Sequence, residues 1–221
     1  MGPMTRVKIC GVTRPDDALL AAELGAWAVG TIFFPNSPRE CDPAAGEEIG
    51  AALKRRAELV GVFVNAPLDE VARLADLCGF TILQLHGDEG PAYCREAARR
   101  TGCKVMKAGR VKDAAAVRGL ESYREADFHL LDTHADDLHG GTGRTFDWEL
   151  ARHHRSRIPV VLSGGIDPEN VGDAIAAVHP FAVDSASGTE AEPGRKDPVK
   201  VEALIAAVRA ADAAGDAPRA A

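Results

Sequence analysis

Short apolar runs rich in β-branched residues alternate along the chain with alanine-rich runs whose apolar residues have helical spacing. The predicted strands are 6–10, 28–34, 58–64, 81–87, 104–110, 128–133, 159–165 and 181–187. The predicted helices include 15–25, 43–56, 67–78, 90–101 and 197–211. Near-continuous apolar strands separated by helices are typical of a parallel sheet that helices cover.

Eight such units in a chain of 221 residues predict one α/β domain, a closed (β/α)₈ TIM barrel, over residues 6–211. Residues 1–5 are predicted to be a disordered leader, and the alanine-rich residues 212–221 a disordered tail. The fifth unit is the weakest, because "VKDAAAVRGL" makes a poor helix. The alternative is an open doubly wound sheet, which normally carries G-x-G-x-x-G after its first strand; here "GVTR" follows.

The chemistry of a barrel of this kind lies where its strands end, at the carboxyl-terminal face. Strand alternation puts Lys8 and Cys10 on one face, so that Lys8 would favour the Cys10 thiolate and also contact a substrate. Asp132 follows Phe128 and Leu130 on one face of the sixth strand, and burial there would raise its pKa. We predict Cys10 as a base and Asp132 as an acid. The alternatives are a small buried thiol and an ordinary loop carboxylate.

Other polar residues near strand ends are candidates for substrate binding. Arg39, in the second loop, is either a ligand for a carboxylate group or simply exposed. The fourth strand directs Gln84 and His86 to one face, as pocket lining or as an internal hydrogen-bond network. His153 and His154 lie in the helical run "DWELARHHR" and are predicted to be solvated. No metal site is predicted, because the histidines lack H-E-x-x-H spacing.

Glycine-bearing loops follow strands six, seven and eight: "GGTG", "SGG" and "SASGTE". Backbone N–H groups of such loops bind phosphate oxygens without requiring a positively charged chain. The sequence therefore predicts a small phosphorylated substrate. The predicted phosphate-binding residues are Gly141, Thr142, Gly143, Gly164, Gly165, Ser187 and Gly188.

Composition narrows the possible partners and the compartment. Lys and Arg number 26 against 33 Asp and Glu, a formal charge of −7 without a dense basic block, which argues against a nucleic acid or an anionic membrane as a partner. No apolar run approaches the ~20 residues of a membrane span. Five cysteines without a C-x-x-C pair fit a reduced, cytoplasmic protein. The sequence leaves open whether the protein is a monomer or a homodimer.

Nearly the whole chain resembles the phosphoribosylanthranilate isomerase family of tryptophan biosynthesis. The motifs are, in order, "KICG", "FFPNSPR", "VGVFVN", "LQLHGDE", "LLDT", "GGTGRTFDW", "LSGGIDPENV", "VDSASGTE" and "PGRKD". The resemblance implies a barrel without metal or organic cofactor. It also implies an Amadori rearrangement of N-(5′-phosphoribosyl)anthranilate to 1-(2-carboxyphenylamino)-1-deoxyribulose 5-phosphate. By this resemblance Asp132 protonates the ribose ring oxygen, Cys10 removes the C2 proton, and Arg39 holds the anthranilate carboxylate.

Two departures from the family pattern bear on phosphate affinity. Where the family usually reads D-V-S-S-G-V-E, this chain reads "DSASGTE", so Ala186 replaces a residue with a hydroxyl group and Ser185 enters at a neighbouring position that faces the opposite way. In "LSGGI", Ser163 stands where the family commonly has alanine, and its hydroxyl could add a hydrogen-bond donor for the phosphate. We expect altered affinity, since a neutral hydrogen bond contributes only ~1 kcal/mol. Two other functions stay open: a different phosphosugar barrel enzyme, or an inactive barrel acting as a binding protein, against which the intact Cys10 and Asp132 argue.

Overall fold

The computed structural model describes residues 4–132 and 148–215. Eight parallel strands form a closed barrel in chain order, and β1 pairs with β8 at the seam. The strands are β1 Arg6–Cys10, β2 Ala28–Phe33, β3 Glu58–Phe63, β4 Ile82–Leu85, β5 Lys104–Arg110, β6 Phe128–Asp132, β7 Val160–Ser163 and β8 Ala182–Ser185. The predicted (β/α)₈ barrel is confirmed, and the open doubly wound sheet is excluded.

Helices cover the outside of the barrel. They are α1 Pro15–Leu24, α2 Pro43–Leu53, α3 Leu68–Cys78, α4 Pro91–Thr101, α5 Ala114–Gly119, α6 Val171–Val178 and α7 Pro198–Gly215. Short 3₁₀ helices lie at Leu120–Ser122, Trp148–His153 and Ser187–Thr189, and β9 Glu190–Glu192 and β10 Arg195–Lys196 form an antiparallel hairpin before α7. Within the described ranges, no helix is long and apolar enough to cross a membrane.

The two ends of the described chain differ from the predicted boundaries. Helix α7 runs to Gly215, so residues 212–215 are helical and not part of a disordered tail. The backbone N–H and the hydroxyl of Thr5 each donate a hydrogen bond of 2.8 Å to the Asp212 carboxylate. These bonds join the start of β1 to the end of α7 and give both segments a fixed partner.

Apolar side chains fill two layers, one inside the barrel and one between the barrel and its helices. At the amino-terminal end, Trp27 packs edge-on against Phe128 and Phe181, with ring centroids 5.4 and 5.3 Å apart. Edge-to-face aromatic contacts of this kind stabilise a core beyond the area that they bury. The aromatic cluster therefore closes the end of the barrel that carries no predicted chemistry.

His154 is half-buried and has a hydrogen-bond partner, whereas the run "DWELARHHR" predicted a solvated side chain. Its Nε2 lies 2.8 Å from Nδ1 of His129, a fully buried residue on the outer face of β6. His129 donates from Nε2 to the Tyr123 carbonyl at 3.2 Å, so its Nδ1 accepts and His154 donates. His153, the last residue of the 3₁₀ helix Trp148–His153, is exposed, whereas His154 follows the helix and is half-buried.

The buried histidine pair predicts that stability falls in acid. Burial lowers the pKa of His129 to about 4 and also lowers that of His154. Because the unfolded chain titrates near ~6.5, it binds more protons than the folded protein between these values, so stability is complete above pH ~6.5 and is lost as the pH falls towards 4. We expect His129→Gln to flatten this dependence in urea unfolding between pH 4 and 7. His153→Gln is the control, and equal slopes in both variants would contradict the prediction.

Candidate active site

A buried ion pair lies under the mouth of the barrel on β1. Lys8 has no exposed surface, and its Nζ donates to Oδ1 of Asp184 at 2.8 Å. The two residues are register partners across the seam between β1 and β8. Ser163 Oγ donates a hydrogen bond of 3.0 Å to the other carboxylate oxygen of Asp184. This contact does not support the expected role of Ser163 as an additional hydrogen-bond donor to the phosphate. Because the Lys8 ammonium is enclosed and paired, the structure does not place it as a direct substrate ligand.

Cys10 lies on the same inward face as Lys8, as the strand alternation predicts. Burial raises the pKa of the Cys10 thiol, and the neighbouring Lys8, which acts in the opposite direction, does not overcome it; Asp184 raises the pKa further. Lys8 therefore favours the thiolate in the expected direction, but burial of the thiol outweighs its effect. Gly30 is the register partner of Cys10, and a Cβ there would lie 2.9 Å from Sγ and 3.1 Å from Lys8 Nζ. A residue without a side chain is needed to leave room for both groups.

Three polar side chains form a hydrogen-bonded chain at the ends of β4 and β6. The Gln84 amide nitrogen lies 2.8 Å from Nδ1 of His86, and His86 Nε2 lies 2.9 Å from Oδ2 of Asp132. When the Gln84 amide donates to Nδ1, the neutral His86 ring carries its proton on Nε2 and donates it to Asp132. Gln84 orients His86, and its own buried Oε1 has no partner among the described groups.

Asp132 and His86 are accessible from the mouth, unlike Gln84. Their side chains are 19% and 20% exposed, whereas Gln84 is 1% exposed. The inward residues that precede Asp132, Phe128 and Leu130, belong to the apolar filling of the barrel, as predicted. Asp132 nevertheless meets a polar partner, so it is not held among apolar groups alone.

Arg39 lies beside Cys10, over the glycine that follows it. A Cβ on Gly11 would lie 2.6 Å from Arg39 Cδ, and Gly11 has a φ of +73° that favours glycine. The glycine that follows Cys10 therefore makes room for the Arg39 side chain. Arg39 is bonded through Nε and Nη2 to the carboxylate of Glu190, and its side chain remains 21% exposed.

Two of the three predicted phosphate loops lie against each other. Gly164 and Gly165 after β7 have φ values of +93° and +74°. A side chain on Gly188, after β8, would collide with the Ile166 carbonyl oxygen, so the two loops pack backbone against backbone. Ser185 Oγ donates to that same carbonyl at 2.6 Å and is buried, so it joins the loops. Ser187 is exposed at the start of its 3₁₀ helix, while Gly141, Thr142 and Gly143 lie outside the described residues.

Several charged residues at this end of the barrel escaped the sequence analysis, among them Asp184, Glu190 and Lys196. Asp184 had a usable signal, because alternation in "FAVDSAS" places it inward at the end of β8. Glu190 and Lys196 lie in the motifs "VDSASGTE" and "PGRKD", but local pattern does not predict their contacts, because the hairpin that carries them meets residues about 150 positions earlier. Among the described residues, no group of three or more His, Cys, Asp or Glu is arranged to hold a metal ion.

Two cavities lie at opposite ends of the barrel. One of about 550 Å³ opens at the carboxyl-terminal mouth and is lined by residues that include His86, Lys107 and Arg110. A larger one of about 910 Å³ lies at the amino-terminal end beside Arg6 and Trp27, and none of the predicted site residues lines it. Among the described site residues, His86 alone lines the smaller cavity. The predicted acid, thiol and described glycine loops lie at the carboxyl ends of the strands, where the chemistry of such barrels is expected.

A closed (β/α)₈ barrel that presents a carboxyl group, a thiol and an arginine where its strands end is the framework of a barrel enzyme. The sequence model of one family, described as N-(5'phosphoribosyl)anthranilate (PRA) isomerase, matches residues 7–207. The N-(5'-phosphoribosyl)anthranilate isomerase of Citrifermentans bemidjiense is 50% identical over 203 residues, covering 92% of this chain and 96% of that protein. The chain belongs to the N-(5'-phosphoribosyl)anthranilate isomerase family, and its members are enzymes of tryptophan biosynthesis.

Solved structures agree with this assignment. Phosphoribosyl anthranilate isomerase from Thermotoga maritima has a TM-score of 0.86 and 42% identity, with 94% of this chain and all of that chain covered. A second isomerase structure contains reduced 1-(o-carboxyphenylamino)-1-deoxyribulose 5-phosphate (TM-score 0.81, 39% identity, 94% and 100% covered). A third is a monomeric form of the dimeric Thermotoga maritima enzyme, with the same TM-score, identity and coverage.

Proposed function

We propose that this chain isomerises N-(5′-phosphoribosyl)anthranilate to 1-(2-carboxyphenylamino)-1-deoxyribulose 5-phosphate with Asp132 as general acid and Cys10 as general base. The observation that carries the proposal is the placement of both groups on the inner face of one barrel, at the carboxyl ends of β6 and β1. A related isomerase holds a reduced form of this product. The roles of the individual residues follow from their surroundings.

In the first step, the Asp132 carboxyl proton moves to the ribose ring oxygen. The bond between C1 and that oxygen breaks, and the anthranilate nitrogen lone pair forms a C1–N double bond, which gives an iminium. Asp132 is left as a carboxylate that accepts the Nε2–H of His86. A donor aimed at the charge that forms on Asp132 stabilises the product of proton transfer. His86 is therefore proposed to assist the acid, and Gln84 to hold His86 in the required tautomer.

In the second step, the Cys10 thiolate takes the proton from C2. The C–H electron pair forms a C1–C2 double bond, the iminium electrons return to nitrogen, and the enolamine that results tautomerises to the ketose. The raised pKa of Cys10 makes its thiolate a strong base that is scarce at neutral pH. Lys8 is proposed to act through Cys10, since its buried positive charge opposes the effect of burial on that thiol.

The two anionic ends of the substrate have separate binding groups. Arg39 is proposed to bind the anthranilate carboxylate, because it borders Cys10 and its side chain remains 21% exposed. Gly164, Gly165, Ser187 and Gly188 are proposed to bind the phosphate with Gly141, Thr142 and Gly143, as expected from the sequence. Glycine backbones that pack closely, as at Gly188, let N–H groups approach an anion.

The test follows anthranilate fluorescence while the purified protein meets phosphoribosylanthranilate generated in situ. Wild type is expected to remove the signal rapidly, and Cys10→Ala to lower kcat by about 100-fold or more because it has no base. Cys94→Ala, a buried thiol outside the barrel interior, is the control and is expected to keep its activity. Signal loss no faster than the uncatalysed rate in folded wild type would refute the proposed function.

Oligomeric state and compartment are parts of the proposal that need their own measurements. A monomer and a homodimer are both compatible with the fold, and a related isomerase is dimeric. Sedimentation equilibrium decides between the two. The five cysteines form no disulfide, which supports a reducing compartment such as the cytoplasm.

A further inference from the structure

We propose that Glu190 and Lys196 are positioning residues for Arg39. They fix the orientation of its guanidinium and the net charge of the cluster that the three residues form, and so determine how tightly the enzyme binds the substrate carboxylate. This inference rests on the function proposed above. It concerns the hairpin β9–β10, whose motif "TEAEPGRKD" has no role in the acid and base chemistry.

Glu190 holds one edge of the Arg39 guanidinium. Arg39 Nε donates to Oε1 and Oε2 at 2.8 and 3.0 Å, and Nη2 donates to Oε2 at 2.7 Å. Within the described part of the chain, Nη1 makes no hydrogen bond to protein. Two-point contacts of this kind fix a planar guanidinium in one orientation. The held edge contacts a buried carboxylate, since the Glu190 side chain is 4% exposed, whereas the Arg39 side chain keeps 21% of its surface exposed.

Lys196 keeps the cluster positive. A lone Arg39–Glu190 pair has no net charge and would attract a carboxylate weakly. Lys196 Nζ lies 3.0 Å from Glu190 Oε1 and its side chain is fully enclosed. Burial lowers the pKa of Lys196 and the Glu190 carboxylate opposes that effect; with Lys196 in its ammonium form, the three groups together carry a charge of +1. Burial opposes ionisation of Glu190, but the bonds from Arg39 and the charge of Lys196 outweigh it and lower the pKa of Glu190. The carboxylate is therefore charged and holds Arg39 throughout the neutral range.

The hairpin that carries both residues is anchored to the barrel on several sides. Thr13 Oγ1 donates to the Gly194 carbonyl at 2.7 Å, and the Lys196 backbone N–H donates to Asp17 at 3.1 Å. Lys196 Nζ also donates to the Ala186 carbonyl at 3.0 Å, in the proposed phosphate loop. One ammonium group thus contacts both the loop proposed for the phosphate and the carboxylate that holds Arg39. These contacts of Lys196 hold the proposed phosphate site and the proposed carboxylate site at Arg39 at a fixed distance from each other.

The experiment measures kcat and KM of Glu190→Gln for phosphoribosylanthranilate generated in situ. Glutamine keeps the size of the side chain but removes its charge and one acceptor. A lost charge-assisted bond corresponds to about a tenfold change or more in affinity, so we expect KM to rise at least about tenfold while kcat changes less than about threefold. Glu192→Gln, an exposed glutamate in the same hairpin, is the control and is expected to keep the wild-type KM.

A double-mutant cycle with Arg39→Ala separates positioning from general support of the fold. If Glu190 acts through Arg39, Glu190→Gln raises KM little once Arg39 is absent, less than about threefold. Equal effects in both backgrounds, or an unchanged KM in Glu190→Gln, would overturn the inference. Lys196→Met should also raise KM, with Arg195→Met as its exposed control. Inactive wild type would refute the proposed function itself, whereas active wild type with an unaltered variant would refute only this inference.

Discussion

Replacing Asp132 with asparagine is expected to lower kcat by roughly 100- to 10,000-fold, the usual contribution of a general acid. Asparagine has nearly the same shape and can still accept the Nε2–H of His86, so the polar chain from Gln84 to position 132 stays in place. It cannot deliver a proton to the ribose ring oxygen. Steady-state fluorescence kinetics and chemical unfolding of the same preparation check the result, with KM expected to change much less than kcat.

The matched control for Asp132 is Asp88→Asn. Asp88 is also a carboxylate at the carboxyl-terminal mouth, and it lines the same cavity as His86, but it is exposed and belongs to the loop after β4. We expect Asp88→Asn to retain kcat within about threefold, as for a surface substitution. If Asp132→Asn retained wild-type kcat, another group would have to supply the proton, and the assignment of the acid would be wrong.

The second large effect concerns stability and the buried pair of Lys8 and Asp184. Asp184→Asn is expected to destabilise the protein by roughly 3 to 5 kcal/mol, because it leaves the Lys8 ammonium buried without its counter-charge. Urea unfolding at neutral pH measures the change. The exposed pair of Arg73 and Glu70 provides the control, since Glu70→Gln should cost less than about 1 kcal/mol.

A double variant distinguishes charge from packing at this pair. Lys8→Met combined with Asp184→Asn removes both charges, so it should be more stable than Asp184→Asn alone. A double variant that is less stable than the single variant would mean that the position depends on the shape and hydrogen bonds of Lys8 and not on charge compensation.

The local sequence pattern predicted most of the barrel, because each strand can be recognised from the alternation of side chains within its own segment. Strand period two put Lys8 beside Cys10, and it grouped Phe128, Leu130 and Asp132 on one inward face. The sequence predicted the direction of the effect of Lys8 on the Cys10 thiol, but it did not show how deeply the thiol is buried, and burial outweighs the nearby ammonium. How deep a side chain lies below the barrel mouth depends on the register between neighbouring strands. The sequence of a single strand does not specify that register.

The local sequence pattern did not predict contacts between segments that are far apart in the chain. Arg39 meets Glu190 across 151 residues, and the glycine after Cys10 makes room for that arginine. His154 was assigned to the solvent because its own segment is polar, whereas its partner His129 lies 25 residues earlier on a strand. In each case the partner that determines the position of the side chain belongs to another helix, strand or loop, so the residue type alone did not predict whether the side chain is exposed or bonded.

The pairing of Lys8 with Asp184 also has a consequence for the order in which the chain matures. The two residues are 176 positions apart, one on the first strand and one on the last. A nascent chain that has not yet delivered its eighth strand therefore carries a lysine at an open sheet edge, and that charge disfavours premature pairing or burial of the edge. Barrel closure brings the missing carboxylate, so the thiol site is completed only when synthesis of the barrel is nearly finished.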